Sequence, residues 1–125
     1  LATLIETTLA PYRSPTFVAT VNGPAVMVPA RAVTPLGLVL HELTTNAVKY
    51  GAWAQPGGTI AIEWVSHGDC VVLTWRENGH RIESQPTRSG FGTMMMTSAA
   101  RQLGHEIERE FLPAGARVTI RIPAS

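Results

Sequence analysis

Residues 34–51 read TPLGLVLHELTTNAVKYG, and this stretch decides the fold because two different stripes run along it. Leu36, Leu40, Leu43 and Ala47 recur at helical spacing and form one apolar face, which must be buried on a core. Glu42, Asn46 and Lys49 stand at i, i+4 and i+7 and form a polar row on another side. A helix that owes one face to packing and lines up polar groups on a second is a first hint of a site. Thr34 as N-cap and Pro35 at the first helical position mark its expected start, and Gly51, just past Lys49 and Tyr50, its expected end.

Working outward, Leu1 to Leu9 predicts a short amphipathic helix that stops before Pro11. Phe17 to Val21 and Ala25 to Val28 read as two strands around the turn Asn22-Gly23-Pro24. On the other side of the central helix, Thr59 to Val65 alternates, with Ile60, Ile62 and Trp64 on one face. Ser66-His67-Gly68-Asp69 then turns the chain into a strand from Cys70 to Glu77. Val71, Leu73 and Trp75 share parity with Glu77, so a carboxylate is expected on the covered side of the sheet. An isolated ion is costly there and needs hydrogen-bonding partners. Asn78 to Ser89 reads as a loop long enough to be functional. Phe91 to Leu103 reads as a helix stopped by Gly104, and Glu106 to Leu112 pairs with Arg117 to Ile122 across Pro113-Ala114-Gly115. Glu106, Glu108 and Glu110 opposite Arg117 and Arg121 read as a solvated hairpin face. The expected fold class is α+β, a two-layer sandwich of a mixed, mostly antiparallel sheet with helices on one face.

Size and charge narrow the function classes. The chain has 125 residues, 45% hydrophobic and 15% charged, enough for one core and too few for two ordinary domains, so 1–125 is expected to be a single domain. Ten basic and nine acidic residues are scattered and sum to a net charge of +1, which gives no footprint for nucleic acid or an anionic membrane. The lone Cys70 excludes an internal disulfide and a cysteine zinc cluster and suits a reducing compartment, so a cytoplasmic setting is expected.

Three segments far apart in the chain each supply a part that a magnesium nucleotide requires. The polar row around Asn46 offers oxygen for a hard cation, which commonly takes one or two protein oxygens and fills the rest of its shell from phosphates and water. Gly90-Phe91-Gly92-Thr93 opens a helix, where free amides and the positive dipole end favour an anion and glycine permits close approach. Glu77, followed by Asn78-Gly79, is an acceptor suited to the exocyclic amine of adenine. Taken singly, each has a plain reading: a turn, a hairpin start, a satisfied helix asparagine, a solvated lysine at Lys49. Their order and spacing together carry the case.

HELTTNAVKYGA, TWRENG, GFGT and the terminal GARVTIRIP, in that order, resemble the N, G1 and G2 boxes of the GHKL superfamily of ATP-binding domains. That superfamily includes histidine kinases, chaperone ATPases, gyrases and mismatch-repair proteins. The histidine before the glutamate, and the W-x-E pattern, are similar to the HWE family of bacterial sensor histidine kinases over roughly residues 25–123. The resemblance implies a Bergerat-type fold that binds ATP with Mg2+. Asn46 would coordinate the ion, Glu42 would sit near the ion and the attacked phosphate, and His41 would be the distinguishing histidine. Lys49 and Tyr50 would lie near the phosphates, Glu77 would bind adenine, and Gly79 would leave room for the base. Gly90, Phe91, Gly92 and Thr93 would border the phosphates beneath a lid. Partners implied are a phosphoacceptor histidine domain of the same protein, with residues 1–12 as the connection from its helical hairpin, and a response regulator; the full-length protein would be a homodimer. The alternative from another class is a nucleotide-dependent switch or anti-sigma-type kinase that binds a partner.

This chain departs from the family pattern at Asn78-Gly79-His80-Arg81, where relatives carry Gly-Gly-Pro after the acidic residue, and at Ala116, where many have threonine. His67 and His105 read as surface residues and His80 as a loop histidine. His41 lies off the polar row, so a structural hydrogen bond competes with catalysis as its reading. Met94, Met95 and Met96 read as core or lid packing.

Overall fold

The computed structural model describes residues 1–12, 14–15, 17–49, 51–54, 57–79, 91–104, 107–112 and 115–123, with the backbone alone at 91–96 and 111–112. In chain order the elements are α1 (Ala2–Leu9), β1 (Val18–Asn22), α2 (Ala30–Lys49), a short 3-10 turn (Ala52–Ala54), β2 (Thr59–His67), β3 (Cys70–Asn78), α3 (Phe91–Leu103), β4 (Glu108–Leu112) and β5 (Gly115–Pro123). The sheet runs β1-β2-β3-β5-β4. β1 is parallel to β2, and the remaining pairs are antiparallel. The mixed, mostly antiparallel sheet expected from the sequence is therefore present.

Alternation decides which face is covered. Ile60, Ile62 and Trp64 of β2, Val71, Leu73 and Trp75 of β3, and Val118, Ile120 and Ile122 of β5 are all buried. They meet Leu36, Val39, Leu40, Leu43 and Ala47 of α2, Ile5 and Leu9 of α1, and Ala99 and Leu103 of α3 in one hydrophobic cluster. Each large side chain taken fully out of water contributes about 1.5–3 kcal/mol, so this layer sets where α2 and its polar row come to rest. The other face is wet: Glu63, Val65, Arg76, Glu108 and Glu110 are exposed. On it Arg121 pairs with Glu108 at 3.1 Å and Arg117 with Glu110, both among half-exposed groups, as expected of a solvated hairpin face.

Turn chemistry explains several boundaries. β2 and β3 join through Gly68-Asp69, with His67 opposite Cys70 and a positive φ at Gly68, as a tight hairpin requires. Gly104 ends α3 with φ +85° while its amide reaches Ala100 O at 2.9 Å. Nothing lies within 4 Å of a Cβ built there, so Gly104→Ala is expected to cost only the left-handed backbone penalty, about 1 kcal/mol. Chemical denaturation is the check, and an unaltered midpoint would refute it.

Two expectations are corrected. Residues 23–29 form no strand, and β1 takes β2 as a parallel partner instead of a hairpin mate. The Asn-Gly signal misleads because Trp64 captures the segment: its indole donates to Pro24 O at 2.7 Å, and a Cβ at Gly23 would collide with its ring. A parallel pair requires a crossover, and α2 is that crossover. The helix also begins at Ala30, before Thr34, and Pro35 lies inside it. Ala32 N–H bonds to Pro29 O at 2.8 Å and starts the turn. Ala32, Pro35 and Leu36 are all buried, and that burial offsets the hydrogen bond Pro35 cannot donate. Among the described residues no helix is long and apolar enough to cross a membrane.

Candidate functional site

The buried carboxylate is where the sheet and the central helix meet. Glu77 ends the inward-facing series of β3 and is 7% exposed. Its register places it between Ile60 of β2 and Ala116 of β5. An unpaired carboxylate so placed would cost several kcal/mol. It is not unpaired: Oε1 accepts from the Ala52 amide at 2.9 Å, and Oε2 accepts from Trp75 Nε1 at 3.1 Å. An ionised carboxylate has about four acceptor positions, so two donors leave capacity for a ligand amine.

Ala52 lies just past the end of α2, which ties this end of the sheet to the polar row. The Gly51 amide closes the helix onto Asn46 O at 3.0 Å and Ala47 O at 3.2 Å. Gly51 has no positive φ, yet a Cβ built on it would collide with Glu77 Oε1. Its glycine is thus a matter of space beside the carboxylate, in addition to ending the helix. One turn earlier, Asn46 Nδ2 donates to Glu42 Oε1 at 3.2 Å, both groups half-buried. A carboxylate can only accept, so the bond turns the Asn46 amide nitrogen toward Glu42 and its Oδ1 away. The two residues together form an oxygen-bearing pair of the kind a hard cation accepts.

The remaining sequence-derived residues fall as follows. His41 and Lys49 are exposed on α2. Gly79 follows β3 with φ +87°, and a Cβ there would stand 3.0 Å from Gly57 O, so both conformation and space require glycine. Phe91, Gly92 and Thr93 form the first turn of α3, which packs against α2. Tyr50, His80, Arg81 and Gly90 lie outside the described residues, as do the side chains of Phe91, Thr93 and Met94 to Met96. Sequence reasoning missed Trp75, Gly51 and Ala52 as partners of the carboxylate. The available signal was a buried indole two residues from Glu77 on the same strand face, since a buried Trp N–H nearly always finds an acceptor.

A groove of about 400 Å3 bordered by Thr74, Arg76, Arg117 and Thr119 opens on the wet face of the sheet. Strand parity puts it on the side opposite Trp75 and Glu77, so it is separate from this site.

A one-sided sandwich whose central helix bears a Glu–Asn pair, and whose core strand ends on a buried carboxylate held by two donors, defines the class of nucleotide-binding sandwiches of the histidine-kinase kind. The comparisons agree. The sequence matches the histidine kinase-, DNA gyrase B-, and HSP90-like ATPase family over residues 32–125, and the chain belongs to that family. A blue-light-activated histidine kinase 1 of Erythrobacter litoralis is 41% identical over 108 residues, spanning 83% of this chain and 30% of that protein. The chain therefore corresponds to under a third of that relative's length. Among solved structures, the histidine kinase domain of the E. litoralis blue-light-activated kinase EL346 superposes with a TM-score of 0.78 at 19% identity, covering 96% of this chain and 57% of its own. The catalytic domain of the histidine kinase ThkA superposes with a TM-score of 0.75 at 18% identity, covering 98% and 90%. The resemblance to a histidine-kinase ATP-binding domain read from HELTTNAVKYGA and TWRENG is borne out.

Proposed function

We propose that the chain is a single ATP-binding catalytic domain of a sensor histidine kinase. It presents the γ-phosphoryl of MgATP to a histidine on an upstream phosphoacceptor domain, from which residues 1–12 form the connection. The observation that carries this reading is the continuity from Glu42 and Asn46 through Gly51 and Ala52 to Glu77. A pair suited to a cation and a buried carboxylate suited to a base amine are thereby tied to the same end of one helix.

In this reading Asn46 Oδ1 would hold magnesium, and Glu42, which orients the Asn46 amide, would add negative charge near the ion. The ion, when bound, neutralises phosphate charge. Glu77 accepts from the adenine amine, and Gly79 leaves space for the ring. Lys49 and Tyr50 are assigned to the phosphates. Phe91, Gly92 and Thr93 would supply main-chain N–H groups at the start of α3, where the helix dipole favours an anion, and Gly90 is assigned to the phosphates with them. His41 and Glu42 are the catalytic candidates. Phosphoryl transfer depends on alignment and charge neutralisation, so the domain alone is expected to bind ATP with little turnover. The full-length protein would work as a homodimer with this domain in the cytoplasm, whether soluble or membrane-anchored as a whole, pass the phosphoryl group to a response regulator and not engage nucleic acid.

The test is calorimetric titration of the chain with ATP, with and without magnesium, followed by addition of the parent protein's histidine-bearing domain and labelled ATP. Magnesium-dependent binding and acid-labile label on the added domain are expected. Absence of ATP binding under both conditions would sink the reading.

A further inference from the structure

We infer that Trp75 and Gly51 are positioning residues that aim Glu77 and so set which purine the site accepts, an inference that rests on the reading of Glu77 as the base acceptor. A glutamate side chain has three rotatable bonds, and a single hydrogen bond leaves it free to swing about that contact. Glu77 is held by two, from different parts of the fold: the Trp75 indole of its own strand and the Ala52 amide of the turn beyond α2. Residues i and i+2 share a strand face, so the indole restrains one oxygen along the strand, while the Ala52 amide restrains the other across to the helix layer. Trp75 is 0% exposed and cannot turn its N–H elsewhere without repacking against Ile62 and Val118, its register partners.

Gly51 completes the arrangement by leaving the space that Oε1 occupies. Because its backbone is not left-handed, an alanine there acts by volume, most severely on Glu77 Oε1 and less so on the Ala47 Cα at 3.0 Å. With both oxygens tied, the remaining acceptor positions face a fixed direction. A purine with an amino group at position 6 donates to them. A 6-oxo purine presents a carbonyl at that position, acceptor against acceptor, and its N1–H donor lies one ring position away, out of line with a carboxylate that is held in place. The W-x-E pattern thereby acquires a physical role: the Trp supports the acid that reads the base.

The experiment compares ATP with ITP, which differ at that position, on the wild-type chain and on Trp75→Phe, Gly51→Ala and Glu77→Gln, with melting curves to confirm folding. Wild type is expected to prefer ATP. Glu77→Gln, whose amide also donates, is expected to lose that preference, and a retained preference there would overturn the reading of Glu77 itself. Trp75→Phe and Gly51→Ala are expected to lower the ATP/ITP affinity ratio by about tenfold, mostly through ATP, since one hydrogen bond to an ion is at stake. A loss of general stability would weaken both nucleotides alike. An unchanged ratio in both folded variants, with the ratio abolished in Glu77→Gln, would overturn the positioning role while leaving the base acceptor in place. Should neither variant fold, the wild-type chain carries the test. The Trp75 indole N–H resonance is expected to move on addition of adenosine, and its constancy while other resonances shift would refute the coupling.

Discussion

Asn46→Ala is expected to lower ATP affinity in magnesium on the order of 100-fold, the scale on which metal-site groups act, while the weaker metal-free binding stays as it was. The fold should survive. Asn46 is half-buried, its side chain bonds only to Glu42 Oε1 among the described contacts, and alanine is the better helix former by several tenths of a kcal/mol. Its main-chain carbonyl, which accepts from Gly51, is untouched by the change. What is lost is the one neutral oxygen that α2 turns away from Glu42. The comparison of isotherms in magnesium and in chelator separates this effect from general weakening, and a variant with the same metal dependence as wild type would remove Asn46 from the site.

Glu77→Ala should show the largest loss of stability, about 2–5 kcal/mol, because it orphans two buried donors at once. Both the Ala52 amide and the Trp75 indole lose their acceptor, and each unsatisfied group costs about 1–3 kcal/mol. Truncation also opens a cavity beside Gly51, where the carboxylate had filled the space. Glu77→Gln should cost less, since one amide oxygen still meets one donor, but its NH2 then confronts the other. The expected order of denaturation midpoints is wild type, then Gln, then Ala. Midpoints that coincide would show that Glu77 is not the acceptor holding these two elements together. Adenine affinity should fall in both.

The two variants probe different strands of the case. Asn46 was legible from spacing: polar residues at i and i+4 on a helix must be neighbours, and the hydrogen bond to Glu42 follows directly. The inward direction of Glu77 was legible from its parity with Val71, Leu73 and Trp75. The identity of its partners was not, because Ala52 is 25 positions away in the chain and no local pattern announces a main-chain donor. Gly51 was read as a helix stop, a role that its amide does fill; the collision with Glu77 depends on how closely helix and sheet approach, and periodicity carries no distance. The hairpin proposed for 17–28 failed because Asn-Gly favours a tight turn only when a strand partner is free to pair, and Trp64 holds Pro24 instead.

From the sequence itself came α1 and α3 with their ends, the β2–β3 and β4–β5 hairpins, the covered face of each strand, the polar row of α2 and the resemblance that named the nucleotide. These depend on interactions across a few residues, where alternation, helical spacing and turn glycines act directly. Tertiary structure alone decided the parallel pairing of β1, the start of α2 at Ala30, and the donors that hold Glu77. Each of these arises from burial against chain segments distant in sequence. Desolvation makes such contacts energetically decisive, because a buried group must take the partner that packing brings to it, and the neighbouring letters do not encode which partner arrives.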